Sequence, residues 1–119
     1  MAWEVEYTDE FGQWWDTLDS AAKERVRASI LLLERLGPSL PRPHADTVQG
    51  SRHPNMKELR TQYQGRPLRT FFAFDPRRNA ILLIGGDKTG DKRFYETMIR
   101  EADRLYAEHL DELRNEGLI

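Results

Sequence analysis

The residues best suited to chemistry lie in the middle of the chain. Over 56–61 and 68–75 the sequence alternates like strands, so Glu58 and Arg60 share one face while Leu59 points to the other. Arg69 shares its face with Phe71 and Ala73, opposite Leu68, Phe72 and Phe74. One carboxylate and two guanidinium groups can therefore line a single sheet face. Such a face is either solvated, with its arginines snorkelling or paired to Glu58, or it is a site for an anion. Lys88, Lys92, Arg93 and Tyr95 follow the last strand, where a turn and a helix start could reach the same face; the alternative is a charged turn and a core tyrosine.

Charge distribution favours an anionic partner. The formal net charge is only −2, yet residues 42–93 carry eleven Lys/Arg against five Asp/Glu. The flanks are acidic, with four basic and eight acidic residues over 1–41, and three and seven over 94–119. A basic block between acidic ones is the pattern of a polyanion-binding segment.

Other chemistries are excluded by residue type or spacing. Without cysteine there is no disulfide framework, zinc ribbon or thiol nucleophile. His44, His53 and His109 form no HExxH and no paired ligand spacing, so no metal or other cofactor is expected. His109 falls on the apolar stripe of a helix and is expected to pack there. Gly85, Gly86 and Gly90 do not make GxGxxG, Asp87-Lys88-Thr89 lacks the glycine spacing of a phosphate-binding loop, and no serine sits in GxSxG. The longest apolar run, Ala80 to Ile84, is far short of the roughly 18 residues that span a bilayer. Met1 to Tyr7 has neither the basic nor the apolar region of a signal peptide, so a cytoplasmic location without membrane contact is expected.

At 119 residues the chain fits one domain, 1–119, with a single core. Trp3, Val5 and Tyr7 alternate against Glu4 and Glu6 as a strand with one buried face. Thr8 or Asp9 caps a short helix bearing Phe11, Trp14/Trp15 and Leu18, and Asp19 or Ser20 starts a second that Gly37-Pro38 stops. Four prolines between Pro38 and Pro54 imply a loop. Three strands follow as a meander: 56–61, 68–75 and 80–86. They are joined by a turn containing Gly65 and by Asp75–Asn79, where Asn tolerates left-handed geometry. A polar turn over 85–91 leads to a helix over about 92–116, striped by Tyr95, Met98/Ile99, Ala102, Leu105/Tyr106, His109 and Leu113, with Gly117 as C-cap. The order β-α-α-β-β-β-α predicts an α+β domain with a mainly antiparallel twisted sheet on helices.

Four runs carry a family resemblance: Asn55-Met56-Lys57-Glu58-Leu59-Arg60, Pro67 to Asp75, Ile81 to Thr89, and Ala102-Asp103-Arg104-Leu105-Tyr106. Together and in order they resemble the RelE/HigB superfamily of type II toxin-antitoxin toxins, in its phage-derived Gp49-like branch, over nearly the whole chain. The resemblance implies a RelE-like fold and a metal-independent endoribonuclease that cleaves mRNA, in most members at the ribosome. It also implies neutralisation by a cognate helix-turn-helix antitoxin, through which alone operator DNA is bound. By position, Arg69 is implied to stabilise phosphate, with Arg60 second. Glu58 is either a general base or a charge that weakens RNA binding. Lys88 contacts phosphate, and Tyr95 stacks on a base or orients the 2′-OH. Lys57, Lys92, Arg93 and His53 are further candidate RNA contacts. The competing expectation is a catalytically silent module of the same fold that acts through protein contacts or as a co-repressor.

Overall fold

The computed structural model describes residues 2–119. Its order is β1 (Val5–Tyr7), α1 (Asp9–Asp16), α2 (Ser20–Leu36), a 3-10 turn (Gly37–Ser39), β2 (Ala45–Thr47), β3 (Lys57–Tyr63), β4 (Arg66–Phe74), β5 (Ala80–Asp87) and α3 (Phe94–Asn115). One five-stranded sheet has the order β1-β5-β4-β3-β2, antiparallel except where β1 runs parallel to β5. The α+β class and the meander agree with the sequence reading, but β2 lies inside the proline-rich segment expected to be a loop.

Local chemistry sets the boundaries. Thr8 caps α1 by accepting from the Phe11 amide at 3.0 Å, and Asp19 caps α2 by accepting from Ala22 at 2.8 Å. The β3–β4 loop shrinks to Gln64-Gly65, both at positive φ (49° and 75°), as a two-residue hairpin with the sheet's right-handed twist requires. In the β4–β5 turn the left-handed residue is Arg78 (φ 70°) rather than Asn79. Asp75 explains the shift: its carboxylate accepts from the Arg77 amide at 2.9 Å and so fixes the turn one residue earlier.

Both faces of the sheet are covered. Leu59, Leu68, Phe72 and Leu82 pack with Phe11, Val26 and Leu33 of α1 and α2. Phe71, Ala73, Ile81 and Leu83 pack with Ala102, Leu105 and Tyr106 of α3. Pairing of β4 with β5 steps from Phe71↔Ile84 to Phe72↔Leu82, leaving Leu83 as a bulge whose carbonyl accepts from the Thr8 hydroxyl at 2.7 Å. β5 runs on to Asp87, so Gly85 and Gly86 are strand rather than turn. A Cβ on Gly85 would come within 2.1 Å of the Trp14 ring, which is why this position takes glycine. Tyr7 is 67% exposed, contrary to the expected buried face, because β1 is an edge strand that α1 and α2 leave partly open. His109 packs as expected, with its Nε2 2.9 Å from Asp75 Oδ2.

Candidate functional site

Register builds the site. Arg60 and Arg69 are Cα partners across β3 and β4, and Asp46 of β2 stands opposite Glu58. Two arginines facing one another repel, and the carboxylates beside them offset that repulsion. Alternation aims Glu58, Arg60 and Arg69 to the face that α3 covers further along, where Phe71 and Ala73 are core. The first turn of α3 delivers Tyr95 there, with its ring edge-on to Phe71 at 6.1 Å.

Three groups converge on one oxygen. Glu58, only 4% exposed, has its Oε1 2.7 Å from the Tyr95 hydroxyl, which donates to it, 2.9 Å from Arg69 Nε and 3.6 Å from Arg60 Nε. Arg69 Nε also lies 3.4 Å from the Tyr95 oxygen, and its Nη1 donates to the Leu68 carbonyl. Among the described residues Arg69 Nη2 and Glu58 Oε2 make no hydrogen bond. Arg60 reaches outward to Asp46 (Nη2 to Oδ2, 3.4 Å), which Arg42 also holds at 2.9 Å. Arg60 Nε is the one buried side-chain polar atom among the described residues without a hydrogen-bond partner. Lys88 Nζ sits 5.3 Å from the centre of the Tyr95 ring.

Electrostatics follow. Burial pushes the Tyr95 hydroxyl above its ordinary acidity range and the bond to Glu58 adds to this, so the phenol keeps its proton near neutrality. Burial would raise the Asp46 carboxyl as well, but the bonds from Arg42 and the Thr47 amide, with the charges of Arg42 and Arg60, together outweigh it and hold Asp46 lowered and ionised. The cluster Glu58, Arg60 and Arg69 carries one surplus positive charge, with Glu58 and Arg69 largely buried and Arg60 the most exposed of the three, and it lines neither of the two grooves found elsewhere on the molecule. It combines a carboxylate with one free oxygen, a guanidinium with a free nitrogen, and a protonated phenol. That set can accept a proton, stabilise an oxyanion and donate a proton.

Glu58, Arg60, Arg69, Lys88 and Tyr95 are thus brought together, and Lys92 and Arg93 are exposed in the turn just ahead of Tyr95. Lys57 is not: strand alternation turns it to the opposite face from Glu58. Nor is His53, whose ring packs at 4.8 Å on Tyr106 near the Phe74 end of β4. Asp46 and Arg42 are additions to the site that hydrophobic periodicity could not reveal, because β2 is three residues long. Among the described residues no group of three or more His, Cys, Asp or Glu is arranged to hold a metal, and no helix is long and apolar enough to cross a membrane.

Comparison with known proteins places the chain. The model of the family described as phage-derived protein Gp49-like matches residues 13–107. HigB3 of Mycobacterium tuberculosis, described as a candidate toxin, is 48% identical over 93 residues, 77% of this chain and 80% of that protein. The chain belongs to the Gp49-like family. HigB2 of the same organism, likewise a candidate toxin, is 50% identical over 99 residues, but this chain spans only about half of its length (49%). Solved structures agree on the RelE fold of this Gp49-like chain. An arginine double mutant of Escherichia coli toxin RelE in the free state has a TM-score of 0.57 at 11% identity, covering 84% of this chain and 98% of that one. RelE of the archaeal RelE–RelB complex from Pyrococcus horikoshii has a TM-score of 0.55 at 14% identity, covering 76% and 100%.

Proposed function

We propose that this chain is the toxin of a toxin-antitoxin pair and acts as a metal-independent mRNA endoribonuclease during translation. The observation that carries the reading is the convergence of Tyr95, Arg69 and Arg60 on one oxygen of Glu58, which leaves the other oxygen free. Glu58 Oε2 takes the proton of a ribose 2′-OH, whose oxygen attacks the adjacent phosphorus in line. Negative charge gathers on the phosphoryl oxygens, and Arg69 Nη2 with Arg60 offsets it. The P–O5′ bond breaks, the 5′-oxygen takes a proton from Tyr95 or Lys88, and a 2′,3′-cyclic phosphate is left. Lys88, Lys92 and Arg93 hold flanking phosphates, and Lys57 and His53 play no part in this step. The partner that restrains the toxin is a cognate helix-turn-helix antitoxin, through which alone operator DNA is engaged, and the setting is the cytoplasm.

Primer extension on a reporter mRNA after induction in a bacterial host tests this directly. Discrete new 5′ ends that vanish with Arg69→Ala support it. A second reading is favoured by the pairing of both guanidinium groups with carboxylates: a silent module that acts through protein contacts or as a co-repressor. Normal growth and intact mRNA on induction of the wild-type chain would select it.

A further inference from the structure

β1 ends the sheet with one neighbour, and the surfaces on its two sides meet at Tyr7 and Asp9. On the α1–α2 side is a groove of about 860 Å³ lined by Val5, Phe11, Trp15, Ile30 and two prominent side chains, Tyr7 and Leu31. These last two are 67% and 50% exposed, an apolar patch continuous with the core. On the α3 side is a groove of about 520 Å³ bordered by Asp9, Glu10, Glu112 and Glu116, none of which has an ion-pair partner among the described residues. Arg77, the arginine lining that groove, is already held by Asp75 and Glu6. The acidic flanks of the sequence thus supply the carboxylates here, at the sheet edge opposite β2.

The backbone adds direction. Ala80 donates to Glu4 and Thr8 donates to Leu82, so in this parallel pairing the amide and carbonyl groups of Val5 and Tyr7 turn to the open edge. A strand added there would alternate its side chains between the two grooves. Charge complementarity then fixes their chemistry: apolar residues over Tyr7 and Leu31, and Lys or Arg towards Glu112 and Glu116.

We propose that this double groove is the docking surface for the cognate antitoxin, which adds to β1 as an extended segment of alternating apolar and basic residues. The proposal rests on the toxin-antitoxin reading above and goes beyond it by assigning the surface. The test is titration calorimetry of the full-length chain with the antitoxin produced from the neighbouring reading frame. Tyr7→Asp and Leu31→Asp should each weaken binding by roughly thirtyfold or more, as for central interface anchors. Glu112→Lys should weaken it less and flatten its salt dependence. All three positions are exposed, so melting temperatures should match the wild type. Arg69→Ala should bind as the wild type does.

Three results overturn the proposal. One is affinity unchanged within about twofold in all three variants, which excludes an anchor role. Another is loss of binding in Arg69→Ala alone, which moves the antitoxin to the arginine face. The third is self-association of the wild type that Tyr7→Asp abolishes, which makes a second copy the occupant. No complex with the wild type at all would sink the toxin reading and this surface with it, a failure distinct from a complex indifferent to Tyr7 and Leu31.

Discussion

Replacing Arg69 separates its two roles. Arg69→Ala leaves Glu58, 4% exposed, with Arg60 Nε at 3.6 Å as its remaining cation and Tyr95 as its hydrogen-bond donor. Loss of one partner of a buried pair costs about 3–5 kcal/mol when nothing else compensates, and the residual contacts bring this to about 1–3 kcal/mol. At roughly 4 °C per kcal/mol for a chain of this length, the melting temperature should fall by about 4–12 °C. The cleavage step should lose far more, about 10²–10³-fold, because a donor aimed at developing oxyanion charge is removed. Arg69→Lys keeps the cation but not the planar fork, so its melting temperature should stay near that of the wild type while cleavage still falls by about tenfold or more. The assay is single-turnover cleavage of a defined mRNA in a translating extract, run well below the lowest melting temperature. Cleavage that tracks folded fraction across the three proteins would refute the reasoning and reduce Arg69 to a counterion for Glu58.

Other perturbations have equally definite signs. Tyr95→Phe should slow cleavage by about tenfold or more, and a spectroscopic phenolate titration should find the Tyr95 contribution above the ordinary tyrosine range, moving down in Glu58→Gln. Burial alone would raise the Asp75 carboxyl, but bonds from Arg77, His109 and Asn79 outweigh it, so its folded value lies below 3.8. Its stabilisation is therefore complete above the unfolded value and is lost as pH falls through the folded one. Asp75→Asn should flatten the acid limb of stability against pH and cost about 2 kcal/mol at neutrality in urea melts. Gly85→Ala drives a methyl into the Trp14 ring and should cost about 1–3 kcal/mol, read from the same melts.

What the sequence made legible divides along local and long-range lines. β4 and β5 were readable because alternation or continuous apolarity is written into each, and α2 because Asp19 and Gly37 bracket its stripe. Period alone grouped Glu58 with Arg60 and Arg69 with Phe71, and the Arg60↔Arg69 and Glu58↔Phe71 register puts the two groups on one face. β2 was not readable: three residues beyond a proline cluster become strand only because Leu59, Glu58 and Lys57 lie alongside to pair with them. With β2 hidden, Asp46 and Arg42 could not be assigned to the site. Gly85 and Gly86 suggested a turn when their cause is close approach by Trp14, Phe94 and Met98, contacts between elements distant in sequence. Lys57 and His53 fell away for geometric reasons, one by the pleat and the other by lying at the wrong end of β4.

The boundary between core and site is one aromatic residue wide, and this couples packing to chemistry. A buried carboxylate between two arginines is a poor way to stabilise a sheet, since apolar side chains of similar volume would serve as well or better. On β4 the same face changes from Arg69 to Phe71 and Ala73 within two residues, and α3 begins where that change occurs. Tyr95 straddles the line, with its ring held by Phe71 at 6.1 Å and Phe94 at 5.4 Å and its hydroxyl on Glu58. The orientation of Glu58, and with it the free oxygen proposed to take the 2′-OH proton, is therefore set by how α3 seats on the sheet. A cavity cut beneath that helix turn, as in Phe94→Leu, perturbs Glu58 through Tyr95 without touching a charged residue. It should lower the cleavage rate more than it lowers RNA affinity, because the phosphate contact proposed for Arg60, which is held by Asp46, lies outside the aromatic seat. Equal losses in rate and affinity would mean that the helix start holds RNA rather than the acid.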